Sequence, residues 1–189
     1  MKVLEGEVSS TLIEDLLGHL SAISRTFTLN DERVIAHIAG WAAVNYHTSK
    51  RTPGQIEIDW SHRVFISPDR QSFMTQNPDG HPIQVHVVAG IPPSLGLFHP
   101  DWKAASLPIF GCQTLIVKVI SPLDLVVSRI GRFAEHDRED IRFLVQSCDV
   151  STDDVARRAK EALDTYIADD ECVKGSIART IDLIDEVRR

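Results

Sequence analysis

The hydrophobic period of this chain switches near residue 120, and that switch limits the folds open to it. Upstream, apolar residues recur at every second position. Gln55-Ile56-Glu57-Ile58-Asp59-Trp60 alternates polar with apolar, as a half-buried strand does. Val64-Phe65-Ile66, Gln71-Ser72-Phe73-Met74 and Ile83-Gln84-Val85-His86-Val87-Val88 continue the pattern, with Pro68-Asp69-Arg70 and Asn77-Pro78-Asp79-Gly80 as turns. The expected arrangement is an antiparallel meander. Ile91-Pro92-Pro93 ends it, a loop follows to about Ile109, and 114–120 is one more apolar strand. Downstream the spacing is helical. Ser121 caps a helix with Pro122 at its first position, running to about Phe133. A second helix is expected over 137–146. A third starts at Ser151-Thr152-Asp153-Asp154, whose acids suit a helix N-terminus, and a last one spans 170–187.

Before the strands, Ser9-Ser10-Thr11 leads into Leu12, Ile13, Leu16, Leu17, Leu20 and Ile23, the signature of a capped amphipathic helix. Asn30-Asp31 is a break. The apolar run Val34-Ile35-Ala36-His37-Ile38-Ala39 ends at Gly40 and reads as a buried strand or a helix start, which periodicity alone does not separate. Residues 41–47 read as helix, and Thr52-Pro53-Gly54 as a turn. The fold class is therefore α/β, more narrowly α+β: a mixed sheet flanked by helices over 1–120, then a helical region over 121–189 that lies on or beside it.

A chain of 189 residues that is 43% hydrophobic can bury a core without staples. Cys112, Cys148 and Cys172 are far apart and odd in number, which argues against a disulfide framework and a cysteine zinc knuckle. Met1-Lys2-Val3-Leu4-Glu5-Gly6-Glu7 is no secretory leader, and no run nears the roughly 18 apolar residues that span a bilayer. The expectation is a cytoplasmic protein with no membrane partner. A net charge of −7 argues against non-specific nucleic-acid binding, which relies on Lys and Arg. Lys50, Arg51 and Arg63 are too dispersed to reverse this. The sequence has no Gly-x-Ser-x-Gly elbow, P-loop, Gly-x-Gly-x-x-Gly or His-x-x-x-His pair.

The strongest chemical candidate is Glu57 with Asp59. Residues two apart on a strand share a face, so Ile56 and Ile58 would enter the core and leave both carboxylates together on the other side. Two such charges repel, and a divalent cation relieves the repulsion. Magnesium suits oxygen ligands and is commonly held by one or two carboxylates plus substrate phosphates. Alternating acids and aliphatics also describe any solvent-facing strand. Asp137, Glu139 and Asp140 read as a helix cap plus solvated charge.

A family resemblance rests on these residues. Ile38-Ala39-Gly40-Trp41-Ala42-Ala43-Val44, followed by Arg51-Thr52 and Glu57-Ile58-Asp59, resembles the nucleotidyltransferase signature of a glycine turn opening a helix, then an acid-x-acid strand. Ser121-Pro122-Leu123-Asp124-Leu125, Ser128-Arg129, Gly131-Arg132-Phe133 and Asp137-Arg138-Glu139-Asp140-Ile141 are similar to the helical segment of small bacterial members, some of them toxin–antitoxin or abortive-infection components. The resemblance covers about residues 34–145.

It implies a mixed sheet of the nucleotidyltransferase type and a Mg2+-dependent transfer of a nucleoside monophosphate from an NTP to a hydroxyl on RNA, protein or a small molecule. Glu57 and Asp59 would hold the metal, and the Gly40-Trp41 turn would receive phosphates. Arg129 would reach nucleotide phosphate or pair with a carboxylate. The third acid of the family comes from a neighbouring strand, expected at 83–88, where this chain offers Gln84 and His86; His86 would be the third polar group. The chain also departs from the signature: Trp41 crowds the phosphate path, Glu57 replaces an aspartate, and Pro53-Gly54-Gln55-Ile56 lengthens the step to the acids. The alternative is a catalytically inactive binding or regulatory module with a protein partner, such as a toxin–antitoxin component. The apolar positions Val155, Ala159, Leu163, Ile167, Ile177, Ile181 and Ile184 would serve a homodimer or pack on the core.

Overall fold

The computed structural model describes residues 2–3, 10–27, 32–52, 54–91, 96–166 and 170–189. Met1, residues 4–7, Ser9, Asn30-Asp31, Pro53, Pro92-Pro93 and Ile167, all read above, lie outside the described residues. The chain divides into two units: Met1–Ile91 with Ser106–Val119, and Pro92–Ala105 with Ile120–Arg189. The segment 96–105 therefore groups with the helices rather than with the strands on either side of it.

In the first unit, helix α1 (Thr11–Ser24) starts where Ser10 Oγ accepts the Ile13 N–H, and it buries Leu12, Ile13, Leu16, Leu17, Leu20 and Ile23. Strands β1 (Lys2–Val3), β2 (Val34–Ile38), β3 (Gln55–Trp60), β4 (Ser72–Gln76), β5 (Pro82–Ala89), β6 (Leu107–Gly111) and β7 (Leu115–Val119) form one seven-stranded sheet in the order β1-β6-β7-β2-β3-β5-β4. The apolar run at 34–38 is the strand of the two readings left open, and helix α2 (Gly40–Thr48) follows it directly.

The meander expectation is corrected. β4 and β5 do form an antiparallel hairpin, closed where Asn77 Oδ1 accepts the Asp79 and His81 N–H groups. β3, however, pairs with β5 in parallel, and with β2 antiparallel. Val64-Phe65-Ile66 is no strand; it belongs to the crossing from β3 to β4, and Phe65 is 84% exposed. The end of the expected long loop is strand β6, irregular between Pro108 and Phe110. Pro108 lacks an N–H to donate to a ladder, which is why the sequence reads as loop there.

One face of the sheet is apolar. Val34, Ala36, Ile38, Ile56, Ile58, Val85, Val87, Leu115, Val117 and Val119 are buried. His19 of α1 stacks on Phe73, which pairs with Val85, so α1 covers this face. Burying each large aliphatic side chain is worth about 1.5–3 kcal/mol, so this layer is the main stabilising element of the unit.

The second unit holds α3 (Pro122–Ile130), α4 (Glu135–Ser147), α5 (Thr152–Leu163) and α6 (Asp170–Val187). Ser121 Oγ accepts the Asp124 N–H and Ser151 Oγ the Asp154 N–H, the two caps expected from the sequence. Leu125, Val126, Ile130, Ile141, Leu144, Val155, Ala159, Val173 and Ile184 are buried in this unit. Gly96 approaches α3 so closely that a Cβ there would collide with the Ser128 carbonyl oxygen, and the Leu97 N–H donates to that oxygen at 3.3 Å. Among the described residues, no helix is long and apolar enough to cross a membrane.

Candidate active-site face

The face of β3 opposite α1 carries Gln55, Glu57 and Asp59, because Ile56, Ile58 and Trp60 take the alternate positions. Glu57 and Asp59 are half-buried and side by side, as the spacing requires. Strand register extends the row. His37 of β2 stands directly opposite Asp59, and Lys118 of β7 is the partner of His37 on its other flank. Paired residues in adjacent strands point to the same side, so Asp59, His37 and Lys118 form a line across three strands. His37 is only 5% exposed.

Gly40 ties this face to α2. It opens the helix with φ +64°, a left-handed conformation that glycine adopts without a Cβ penalty. A Cβ there would also collide with Glu57 Oε2. The carboxylate thus lies against the first turn of a helix whose N-cap, Ala39, has no side chain to accept its amides. Negative charge is favoured at such a terminus. Trp41, the next residue, turns outward: it is 42% exposed, and the Arg51 guanidinium lies 5.7 Å from its ring centroid.

The β5 side holds no carboxylate. Opposite Glu57 stands Val88, and His86 is the partner of Gln55, one register step away from the acids. His86 is exposed and is flanked on β4 by Ser72. Sequence reasoning passed over His37 and Lys118. A single histidine in an apolar run reads as core, and only the pairing of β2 with β3 reveals its neighbour.

Arg129 lies in the second unit and is 7% exposed. Its Nε is 3.1 Å from Asp140 Oδ2 and 4.0 Å from Asp137 Oδ1. Of the two roles open to Arg129, carboxylate pairing is the one seen. Asp137 also takes a bidentate bond from Arg132 (2.8 and 2.7 Å) and accepts the Ala134 N–H at 2.9 Å, capping α4. The cap was expected, but solvated charge was not the outcome: Asp137 and Asp140 are both fully buried. Burial pushes the Asp137 carboxyl up, yet the hydrogen bonds from Arg132 and Ala134 and the charges of Arg132 and Arg129 outweigh it and hold the group below the ordinary aspartate value.

A second polar cluster in the same unit is also closed. Buried Asp124 accepts Arg158 in bidentate fashion (2.8 and 3.1 Å) and Ser121 Oγ at 2.8 Å. His99 Nδ1 accepts the Asp101 N–H at 3.0 Å, so a neutral ring carries its proton on Nε2, facing Glu161 Oε2 at 3.3 Å. The contact of that nitrogen with Arg158 Nη1 (3.3 Å) then joins two donors and is packing rather than a hydrogen bond.

No family model matches this sequence, and no curated protein does. Function must therefore be read from the site itself. Among the described residues no three His, Cys, Asp or Glu side chains group closely enough to hold a metal ion on their own. Glu57 and Asp59 remain as two adjacent carboxylates.

Proposed function

We propose that this face of the first unit binds a magnesium-bound nucleoside triphosphate, and that the chain transfers a nucleoside monophosphate from it to a hydroxyl on RNA, protein or a small molecule. The observation that carries this reading is the meeting of Glu57 with Gly40. It brings Glu57, one of a pair of hard oxygen donors with Asp59, against the N-terminal turn of α2. Those amides suit phosphate, and the acids suit the cation that accompanies it. Bound magnesium would neutralise charge on the transferring phosphoryl group. The chain's own contribution would be to hold and orient: Glu57 and Asp59 would grip the cation and the Gly40 turn would receive phosphate oxygens, with Trp41 turned outward. The compartment we propose is the cytoplasm, where Cys112, Cys148 and Cys172 stay free.

One observation favours a second reading. Glu57 also serves as the counter-charge of the uncapped α2 terminus, and Val88 stands where a third carboxylate would face it. Both suit a binding or regulatory module, with a toxin–antitoxin partner, that keeps the site without the chemistry.

Thermal unfolding with magnesium and each NTP, on wild type and Asp59→Asn, tests the shared part. A ligand at a hundredfold excess over Kd adds about 2.7 kcal/mol of stability. We expect a magnesium-dependent rise that Asp59→Asn abolishes; no rise with any NTP sinks the transferase reading and leaves the module, whose ligand would then be a protein partner. A label-transfer assay with α-labelled NTP then separates them: turnover favours the transferase, and binding without turnover favours the module.

A further inference from the structure

We propose that Lys118 is a phosphate-binding residue of this face, its ammonium holding the polyphosphate of the nucleotide whose metal sits at Asp59. The inference rests on the nucleotide reading above and adds a residue that neither the acid-x-acid strand nor the glycine turn indicates.

Three observations lead to it. First, Lys118 and Asp59 end the same row, with His37 between them. Strands about 4.8 Å apart set their Cα atoms about 9.6 Å apart. A phosphate chain held at Asp59 through a cation lies within reach of a flexible four-carbon stem from Lys118. Second, Lys118 is half-buried, yet among the described residues it has no ion pair and no side-chain hydrogen bond. A partly desolvated ammonium without a counter-ion is costly, and lysine is rarely buried unless paired. Third, its register neighbours on the sheet carry no acid. Its register partner on β6 is Pro108, its partner on β2 is His37, and Ile116 precedes it on the same face of β7. The acids brought into this row are Glu57 and Asp59, and His37 fills the position between them and the lysine. The arrangement is a cation and a carboxylate pair held apart by one strand. A ligand positive at one end and negative along its length fits that gap, and a magnesium polyphosphate has this character. Lysine binds phosphate as a point charge, so the site selects charge rather than base identity.

Isothermal titration calorimetry decides it, with Mg-ATP and with magnesium tripolyphosphate titrated into wild type, Lys118→Met, Lys118→Arg and Asp59→Asn. Losing one charge-assisted contact should weaken both ligands by about tenfold or more in Lys118→Met. Lys118→Arg should stay near wild type. The unfolding midpoint of Lys118→Met should match or exceed that of wild type, since the change removes an unmatched cation without opening the fold. Wild-type affinity for both ligands in Lys118→Met overturns the inference and leaves the nucleotide reading standing. Weakening of Mg-ATP alone, with tripolyphosphate unchanged, also overturns it, because the contact would then be to the nucleoside. Failure of wild type to bind either ligand overturns the inference and the nucleotide reading together.

Discussion

In the N-terminal half of α4, buried carboxylates meet guanidiniums head-on: Asp137 is gripped by Arg132 through two bonds, and Asp140 lies 3.1 Å from Arg129. On β3 the register gives the acids different company, a histidine alongside and a lysine one strand further. The first arrangement pairs acid with guanidinium directly. Its guanidiniums are close in sequence to the acids they serve, and one acid doubles as a helix cap, so the cluster reads as architecture. The second keeps two carboxylates together on one strand and places a lysine one strand beyond the neighbouring histidine. The first buries its acids fully and pairs them with arginines close in sequence; the second leaves its acids half-buried and aligns its groups across three strands.

The largest effect should come from opening the closed cluster. Asp137→Asn leaves Arg129 and Arg132 facing a neutral group inside the second unit and should cost about 3–5 kcal/mol in urea unfolding. A loss below 1 kcal/mol would mean that solvent already satisfies these charges, and the contrast would collapse. On the sheet, Gly40→Ala should cost about 1–2 kcal/mol for the left-handed backbone alone. Pairing it with Glu57→Ala should recover only the collision between the new Cβ and the carboxylate. Full additivity in that double-mutant cycle would show that the two residues do not meet.

A pH series sharpens the same contrast. The Asp137 carboxyl is depressed in the folded state, so the stability it contributes is fully present above the unfolded value near 3.9 and is lost as pH falls from there through the folded value. Wild type should lose this increment on acidification below about pH 4, and Asp137→Asn should show a flatter profile over the same window. The smallest effect concerns thiols. For Cys112, burial raises the thiol, but hydrogen bonds from Ser24, Thr114 and Leu115 outweigh it and lower the group; for Cys148, burial raises it. Iodoacetamide at neutral pH, followed by peptide mass spectrometry, should modify Cys112 ahead of Cys148.

Local chemistry made much of this fold legible. Ser10, Ser121 and Ser151 cap the helices they were expected to start, because a hydroxyl two or three residues ahead of an apolar stripe has one economical use. The alternation of β3 set its faces, and with them the joint placement of Glu57 and Asp59. Pairing partners were not legible. Period two states which side of a strand is apolar but not which strand lies beside it, so the parallel match of β3 with β5 was hidden. The same blindness concealed His37 and Lys118, whose roles depend on neighbours more than 20 residues away in the chain. Val64-Phe65-Ile66 misled for the opposite reason: three strand-forming residues carry local preference, but no described strand pairs with them.

The route of the chain has a consequence for its manufacture. The backbone leaves the first unit after Ile91, returns at Ser106 to lay down β6 and β7, and departs again at Ile120. A growing chain on the ribosome cannot close its sheet when β5 emerges. β2 must wait for β7, whose residues appear about 80 positions later, and Gly96 with Leu97 must wait for Ser128, about 30 positions on. Neither unit is a contiguous cassette. No single cut in the gene would release either one whole, and grafting experiments should carry the full chain.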